Sequence, residues 1–370
     1  MPASYTYLVA DLRTGTIVDE LPFTGVVFDK RLNDTGTFRA ELRVDDPGIR
    51  DREPRLLTEP GRTAVYVDRD GHLRWGAIVW TTRYSASTAT LEIGASDFLS
   101  YFEHRRVLAY PVNPAGTFGL TDTDQLAIAT QLLALAQSHP GGDIGLTVRG
   151  ATASGVTRTV RYDAGELKPV ADALRDLANA DGGFDFAVDV EYAPDGRPVR
   201  YIQFGYPRLG QPGGPHVWEY GANLSDFAWP RDAASMATRM FAQGTSDGDV
   251  PLLAYAEDPA APASGWPLLE DAASQLDTKD AGLVAAQARG ELAARRRPVV
   301  LPELTVRADL DPVVGAYAVG DDVRLVVADP FFAGDELDVT VRLLSFEVTP
   351  GDDAGVEQVT LTVAPIPEPL

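Results

Sequence analysis

Residues 23–45 read FTGVVFDKRLNDTGTFRAELRVD. Within them Phe38, Ala40, Leu42 and Val44 alternate with Arg39, Glu41, Arg43 and Asp45, the period-two pattern of a strand with one buried face. Asn33-Asp34-Thr35-Gly36 supplies turn chemistry just before it. Outward from there, the apolar runs Thr63–Val67 and Leu73–Thr81 are joined by Asp68-Arg69-Asp70-Gly71, a polar loop ending in glycine and hence a hairpin signal. Thr88–Gly94 adds another strand, and Asp97–Tyr101 a bend or a short turn of helix. Residues 1–110 therefore read as a compact β unit, the first of three domains.

Composition shifts at Tyr110-Pro111-Val112-Asn113-Pro114, and residues 111–228 read as α+β. Thr123-Asp124 opens a helix whose Leu126, Ala129, Leu132, Leu133 and Ala136 form one stripe, stopped by His139-Pro140-Gly141-Gly142. A second helix over Lys168–Ala180 carries Val170, Ala171, Leu174, Leu177 and Ala178, with Pro169 suited to its first turn and Gly182-Gly183 ending it. Phe184, Phe186, Val188, Val190 and Tyr192 then alternate with polar residues, Pro194-Asp195-Gly196 turns the chain, and Val199 and Tyr201 return it. The pattern predicts two helices over a meander. Residues 206–216 read as a loop.

Residues 229–370 read as mostly β again, after the strand-like Asn223–Trp229. The Gly-, Asp-, Pro- and Ala-rich stretch 244–272 reads as an extended loop. A helix over Asp280–Arg297 would place Leu283, Ala286, Gly290 and Ala293 on one side. Its basic end, Arg295-Arg296-Arg297, suits a helix C-terminus, and Pro298 breaks it. Strands follow at Leu301–Ala308, Val323–Val327, Val339–Thr349 and Val356–Val363, and no short-period repeat is visible. The fold class is α+β, mainly β.

The whole chain has 370 residues, 45% apolar and 23% charged, enough for several cores and unlike a disordered chain. No run approaches the ~20 apolar residues of a membrane-spanning helix. The start, MPASYTYLVADLRTG, has no basic stretch ahead of an apolar core, so no secretory signal is expected. Cysteine is absent, which removes disulfides, thiolate nucleophiles and cysteine-ligated zinc. Histidines at 72, 104, 139 and 216 are too far apart for a HExxH or HxH pair and leave few bases for a Ser-His-Asp triad. The net charge of −22 repels phosphate backbones and disfavours a specific nucleic-acid binder. Lysine occurs only at 30, 168 and 279, an arginine bias expected of a GC-rich genome rather than of chemistry.

The chemical motifs reduce to ordinary roles. Asp45-Asp46, Asp321-Asp322 and Asp352-Asp353 are acid pairs, which a chain with 54 acids contains by chance. Asp249, Asp258 and Asp271 carry oxygen ligands but no D-x-[DN]-x-[DN]-G loop. Gly182-Gly183 and Gly213-Gly214 do not sit between a strand and a following helix, as a phosphate-binding loop must. Trp75, Trp80, Trp218, Trp229 and Trp266 could line a sugar surface, but Trp75 and Trp229 lie in apolar strand patterns that read as core. No catalytic, cofactor-binding or metal-binding residue is expected, and no enzymatic activity.

Several spaced segments are more specific than composition. Residues 222–244 read ANLSDFAWPRDAASMATRMFAQG, and residues 300–327 read VLPELTVRADLDPVVGAYAVGDDVRLVV. VRLLSFEVTPG (341–351) and EQVTLTV (357–363) close the chain. With the opening LVADLRTGTIVDELPF and LNDTGTFRAEL, this order resembles the tail-hub (baseplate hub, minor tail) proteins of long-tailed siphophages, the Tal-like group, along essentially the whole chain. In the chain itself, Gly320 permits a tight turn before Asp321-Asp322, and Val323, Leu325 and Val327 share one strand face opposite Arg324.

The resemblance implies two similar tube-forming β-barrel domains per subunit with a peripheral α+β domain between them, and a homotrimer that makes a ring of six barrels. It implies a virion protein of the tail tip, assembled in the host cytoplasm. Its neighbours would be the distal tail protein, the tape-measure protein and tip or receptor-binding proteins, with DNA met only in passage and no membrane insertion. Many relatives carry a C-terminal peptidase or wall-degrading extension; here the chain ends in β residues and Ala364-Pro365-Ile366-Pro367-Glu368-Pro369-Leu370, so none is expected. The rival readings are a cell-wall or glycan hydrolase, a carbohydrate-binding attachment protein, and a hub from a contractile tail or secretion machine.

Overall fold

The computed structural model describes residues 3–180, 182–244, 251–273, 281–332, 336–351 and 356–366, with the side chains of residues 283 and 286 outside that description. It divides into two compact units, Met1–Phe227 with Leu304–Leu370, and Ala228–Glu303. The architecture is α+β and mainly β.

The first strand module comprises β1 (Tyr5–Asp11), β2 (Ile17–Glu20), β3 (Thr24–Arg31), β4 (Thr37–Arg43), the short helices α1 (Pro47–Arg50) and α2 (Pro54–Leu57), then β5 (Thr63–Arg69), β6 (His72–Ser85) and β7 (Thr90–Asp97). The predicted alternation holds on β4: Phe38, Ala40 and Leu42 are buried and their neighbours exposed. The β5–β6 hairpin is tighter than expected. Arg69 pairs with His72 across Asp70-Gly71, both at positive φ (55° and 79°), the backbone of a two-residue turn that follows strand twist. The strands run in the order β3-β4-β7-β6-β5-β1-β2.

Beyond β7, α3 (Leu99–Glu103), β8 (Thr117–Asp124), α4 (Gln125–Gln137), β9 (Leu146–Gly150), β10 (Thr157–Asp163), α5 (Val170–Asn179), β11 (Asp185–Tyr192) and β12 (Pro198–Gly205) form an α+β lobe. The α4 stripe is buried as predicted. Asp124 caps α4, and although burial pushes its carboxyl up, the amides of Leu126, Ser154 and Gly155 hold it below the usual range. Pro169 sits at the N-cap of α5 rather than in its first turn. The predicted antiparallel return is found, β11 pairing with β12 from Asp185 facing Gly205 to Tyr192 facing Pro198, and three further strands join the lobe: β9 adds to β12 in parallel, and β8 pairs with β10. Those three strands alternate too weakly to be read from sequence. The lobe shares one core with the first module, joining Leu126, Leu174 and Phe186 to Tyr66, Ile78 and Phe98.

A second strand module follows: β13 (His216–Glu219) and β14 (Leu224–Ala228), then, after the inserted unit, β20 (Glu303–Arg307), β21 (Asp322–Ala328), β22 (Glu336–Thr349) and β23 (Gln358–Pro365). Its order, β14-β20-β23-β22-β21-β13, repeats that of β3-β4-β7-β6-β5-β1. The correspondence extends to register. β5, β6 and β7 have 7, 14 and 8 residues, as do β21, β22 and β23. Trp80 bulges from the β6–β7 ladder and Leu344 from the β22–β23 ladder, each at the ninth residue of its long strand. The outermost pair differs in sense: β1 runs antiparallel to β5, β13 parallel to β21.

The unit Ala228–Glu303 replaces the short turn that joins β3 to β4. It comprises β15 (Arg231–Asp232), β16 (Arg239–Gly244), β17 (Leu252–Glu257), β18 (Glu270–Ala272), α6 (Ala281–Arg295) and β19 (Val299–Val300). The stretch 244–272 was expected to be loop; its described part instead contributes β17 and β18 beside β16, because alanine-diluted alternation still turns residues 252, 254 and 256 inward. On α6 the buried row is Val284, Ala288 and Leu292, packed near Met240 and Ala242, whereas Gly290 and Ala293 are exposed. Asp280, the expected helix start, lies outside the described residues, as do the side chains of Leu283 and Ala286.

Candidate functional site

The described acid pairs make contacts within the scaffold. Asp45 binds Arg43, and Asp46 caps α1 through the Gly48 amide. Asp321 and Asp322 are buried: Asp322 takes both guanidinium nitrogens of Arg208 at 2.7 Å and the Gly213 amide, while Asp321 accepts from the amides of Gln211 and Ala318. These bonds pin the 206–215 loop, where Gly210 lies so close to Gly320 that a Cβ would meet its carbonyl carbon at 2.1 Å. The calcium candidates Asp258 and Asp271 are taken by Arg297 and Arg295, each at 2.8 Å. The Arg297 guanidinium and the Ala260 amide hold the Asp258 carboxyl below the ordinary range. Arg295 lies in the last turn of α6 as expected of a helix C-terminus, and it and Arg297 also serve as ion-pair partners. Asp249 and Asp352-Asp353 lie outside the described residues. Among those described, no cluster of three His, Asp or Glu side chains could hold a metal ion.

The remaining candidates are dispersed. Trp75 and Trp218 are core residues; Trp75 donates to the Asp29 carbonyl at 2.8 Å, and Trp218 packs edge-on against Tyr317. Trp229, expected in the core, is half-buried, as is Trp266, and Trp80 is half-buried against His104. His139 meets the Leu108 carbonyl, His216 lies 4.0 Å from Asp321, and His72 is exposed. Lys30 pairs with Asp189 and Lys168 with Asp176; Lys279 lies outside the described residues. Gly182 and Gly213-Gly214 adopt positive φ in loops.

What the strand modules present instead is backbone edge. Both edges of β22 are used: β23 covers one, while β21 pairs with its first half and β3 takes over beyond the bulge, Ser345–Val348 facing Arg31–Phe28. Leu32 donates to the bulged Leu344 carbonyl. This junction joins the two modules, reinforced by a bidentate Arg69–Glu357 pair to which Tyr5 donates a hydrogen bond. In β6 the corresponding residues Thr81–Tyr84 pair only with β7 among the described residues, and Tyr84 is 57% exposed. Among the described residues β14 pairs only with β20, apart from one bridge between Tyr220 and Leu224. A groove of about 770 Å3, lined by Arg39, Glu41, Arg83, Glu92, Ile93 and Thr349 among others, crosses β4, β7 and β6. Sequence patterning could not reveal these edges, because alternation reports buried faces and not which ladder remains unpaired.

No protein-family model matches the chain, and no curated protein matches it in sequence. Solved structures match it in fold. The 43 kDa tail protein of prophage MuSo2 from Shewanella oneidensis is 16% identical, with a TM-score of 0.63 over 98% of this chain and 98% of that one. A tail protein from Neisseria meningitidis MC58 is 16% identical, with a TM-score of 0.61 over 98% and 96%. The chain has the fold of prophage tail proteins. That fold also covers a chain of the Francisella PdpA–VgrG complex, at 7% identity and a TM-score of 0.54, over 100% of this chain and 60% of that one.

Proposed function

We propose that the protein is a structural component of a phage-type tail, the hub at the tail tip that joins the distal tail ring to the tip and gates DNA passage. The observation that carries this reading is the duplicated strand module in a chain that shares its fold, end to end, with prophage tail proteins. Two like modules give each subunit two near-equivalent places around an axis, so three copies match sixfold geometry. In this reading the first strand module and the second, which begins at β13 rather than at the expected residue 229, are the barrel-like hub domains, and the α+β lobe between them is the peripheral one. The partners are a second and third copy, the distal tail protein, the tape-measure protein and tip or receptor-binding proteins. The protein has no enzymatic role.

Each copy adds −22 to the ring. A channel that repels phosphates lets DNA slide without sticking, and a strongly positive channel wall in the assembled ring would overturn that part. Native mass spectrometry and images of the purified protein test the whole: three chains around an axial hole are expected. A lone monomer that releases soluble fragments from host cell wall would favour a hydrolase instead. The rival hub reading, a part of a contractile tail or secretion machine, would be selected by a contractile sheath on particles carrying this protein.

A further inference from the structure

We propose that β14 of one copy of this chain adds as a strand to the open half of β6, Thr81–Tyr84, in a second copy. The inference rests on the hub reading and names the contact that builds the ring. Within one chain, the edge of β22 beyond its bulge is covered by β3, the outermost strand of the β3-β4-β7-β6 series. By position in the ladders, β6 is the counterpart of β22 and β14 the counterpart of β3. Ser345 faces Thr362, the fifth residue of β23, as Thr81 faces Gly94, the fifth residue of β7. The operation that carries the first module onto the second therefore carries the β3–β22 junction onto a β14–β6 junction. One chain contains no second first module to complete it, so the missing partner is another copy.

The two edges suit each other chemically. Exposed edges are aggregation liabilities unless paired, and here both carry residues that favour strand pairing: Thr81, Thr82 and Tyr84 on one, Phe227 on the other. Arg83 and Asp226, both exposed, bring opposite charges to the two edges. Each copy donates one β14 and accepts one at β6, so the contact is head to tail and a closed ring uses every such edge.

The absence of cysteine makes disulfide trapping clean. Single variants Thr81→Cys, Thr82→Cys, Arg83→Cys and Tyr84→Cys are each mixed with Ser225→Cys, Asp226→Cys or Phe227→Cys under mild oxidation. Val18→Cys, on the exposed β2 edge, serves as the control partner. Facing residues in an antiparallel ladder lie ~4.5–5.5 Å apart, within the range a disulfide spans. The expected result is a mixed disulfide dimer for the facing pairs, at least tenfold above the Val18→Cys control and alternating with residue position. A multi-copy ring by native mass spectrometry with no link above control overturns the β14–β6 contact and leaves the hub reading standing. A protein that stays monomeric with no link overturns both.

Discussion

The two strand modules share an order, lengths and bulge positions, yet they are buried differently. Tyr66 on β5 faces Gly76, and at the same place in the second module Arg324 on β21 faces Thr340. Tyr66 is fully buried against the α+β lobe, beside Phe98, whereas Arg324 is exposed and holds Asp338. All seven residues of β5 are buried, while β21 keeps two of its seven exposed. One topology thus tolerates a strand covered on both faces and a strand covered on one, because backbone pairing sets the ladder and neighbours decide what covers it.

That contrast can be broken by mutation. Tyr66→Ala empties a site packed on all sides and should cost about 3–5 kcal/mol in urea unfolding, whereas Arg324→Ala should leave the midpoint unchanged. Equal effects would mean that the modules do not differ as described. Glu357→Ala leaves Arg69, which is 10% exposed at the junction, with only the longer Asp70 contact at 3.3 Å among the described residues and should cost about 2 kcal/mol; if the loss is negligible, the pair does not fasten the modules. Tyr66→Phe should stabilise by about 1 kcal/mol, since the buried hydroxyl has no hydrogen-bond partner among the described residues.

A further expected effect is one of pH. Asp97 is buried, and desolvation pushes its carboxyl up to about 7, against the amides of Gly36 and Leu99 that favour the charged form. The folded chain then keeps a proton that the unfolded chain, titrating at 3.8, has released. Stability falls as pH rises between those two values, and above pH 7 the full cost of the buried carboxylate is present. Asp97→Asn should remove this dependence, seen as a flatter profile of melting temperature between pH 4 and 8; an unchanged profile would assign the dependence elsewhere.

Much of the fold was legible in the sequence. The alternation on β4, the Asp-Gly turn after β5 and the α4 stripe all answer to local rules of period, turn and cap. β8, β9 and β10 escaped because they lie at the lobe's surface and alternate weakly, and β17 because alanine and its Pro- and Gly-rich surroundings masked it. In the sequence the acid pairs and tryptophans read as scaffold, with no sign of their partners. Yet only geometry assigns Asp258 and Asp271 to arginines and Asp322 to Arg208.

By itself the sequence determined strand and helix periods, the exclusion of cysteine chemistry and the net charge, since each depends on residue type and near neighbours alone. The duplication of the strand module was decided by tertiary structure. No sequence repeat betrays it, because a ladder is specified by backbone hydrogen bonds that many side chains permit. Which edges remain open depends on residues hundreds of positions apart arriving beside one another, as Arg31 and Ser345 do.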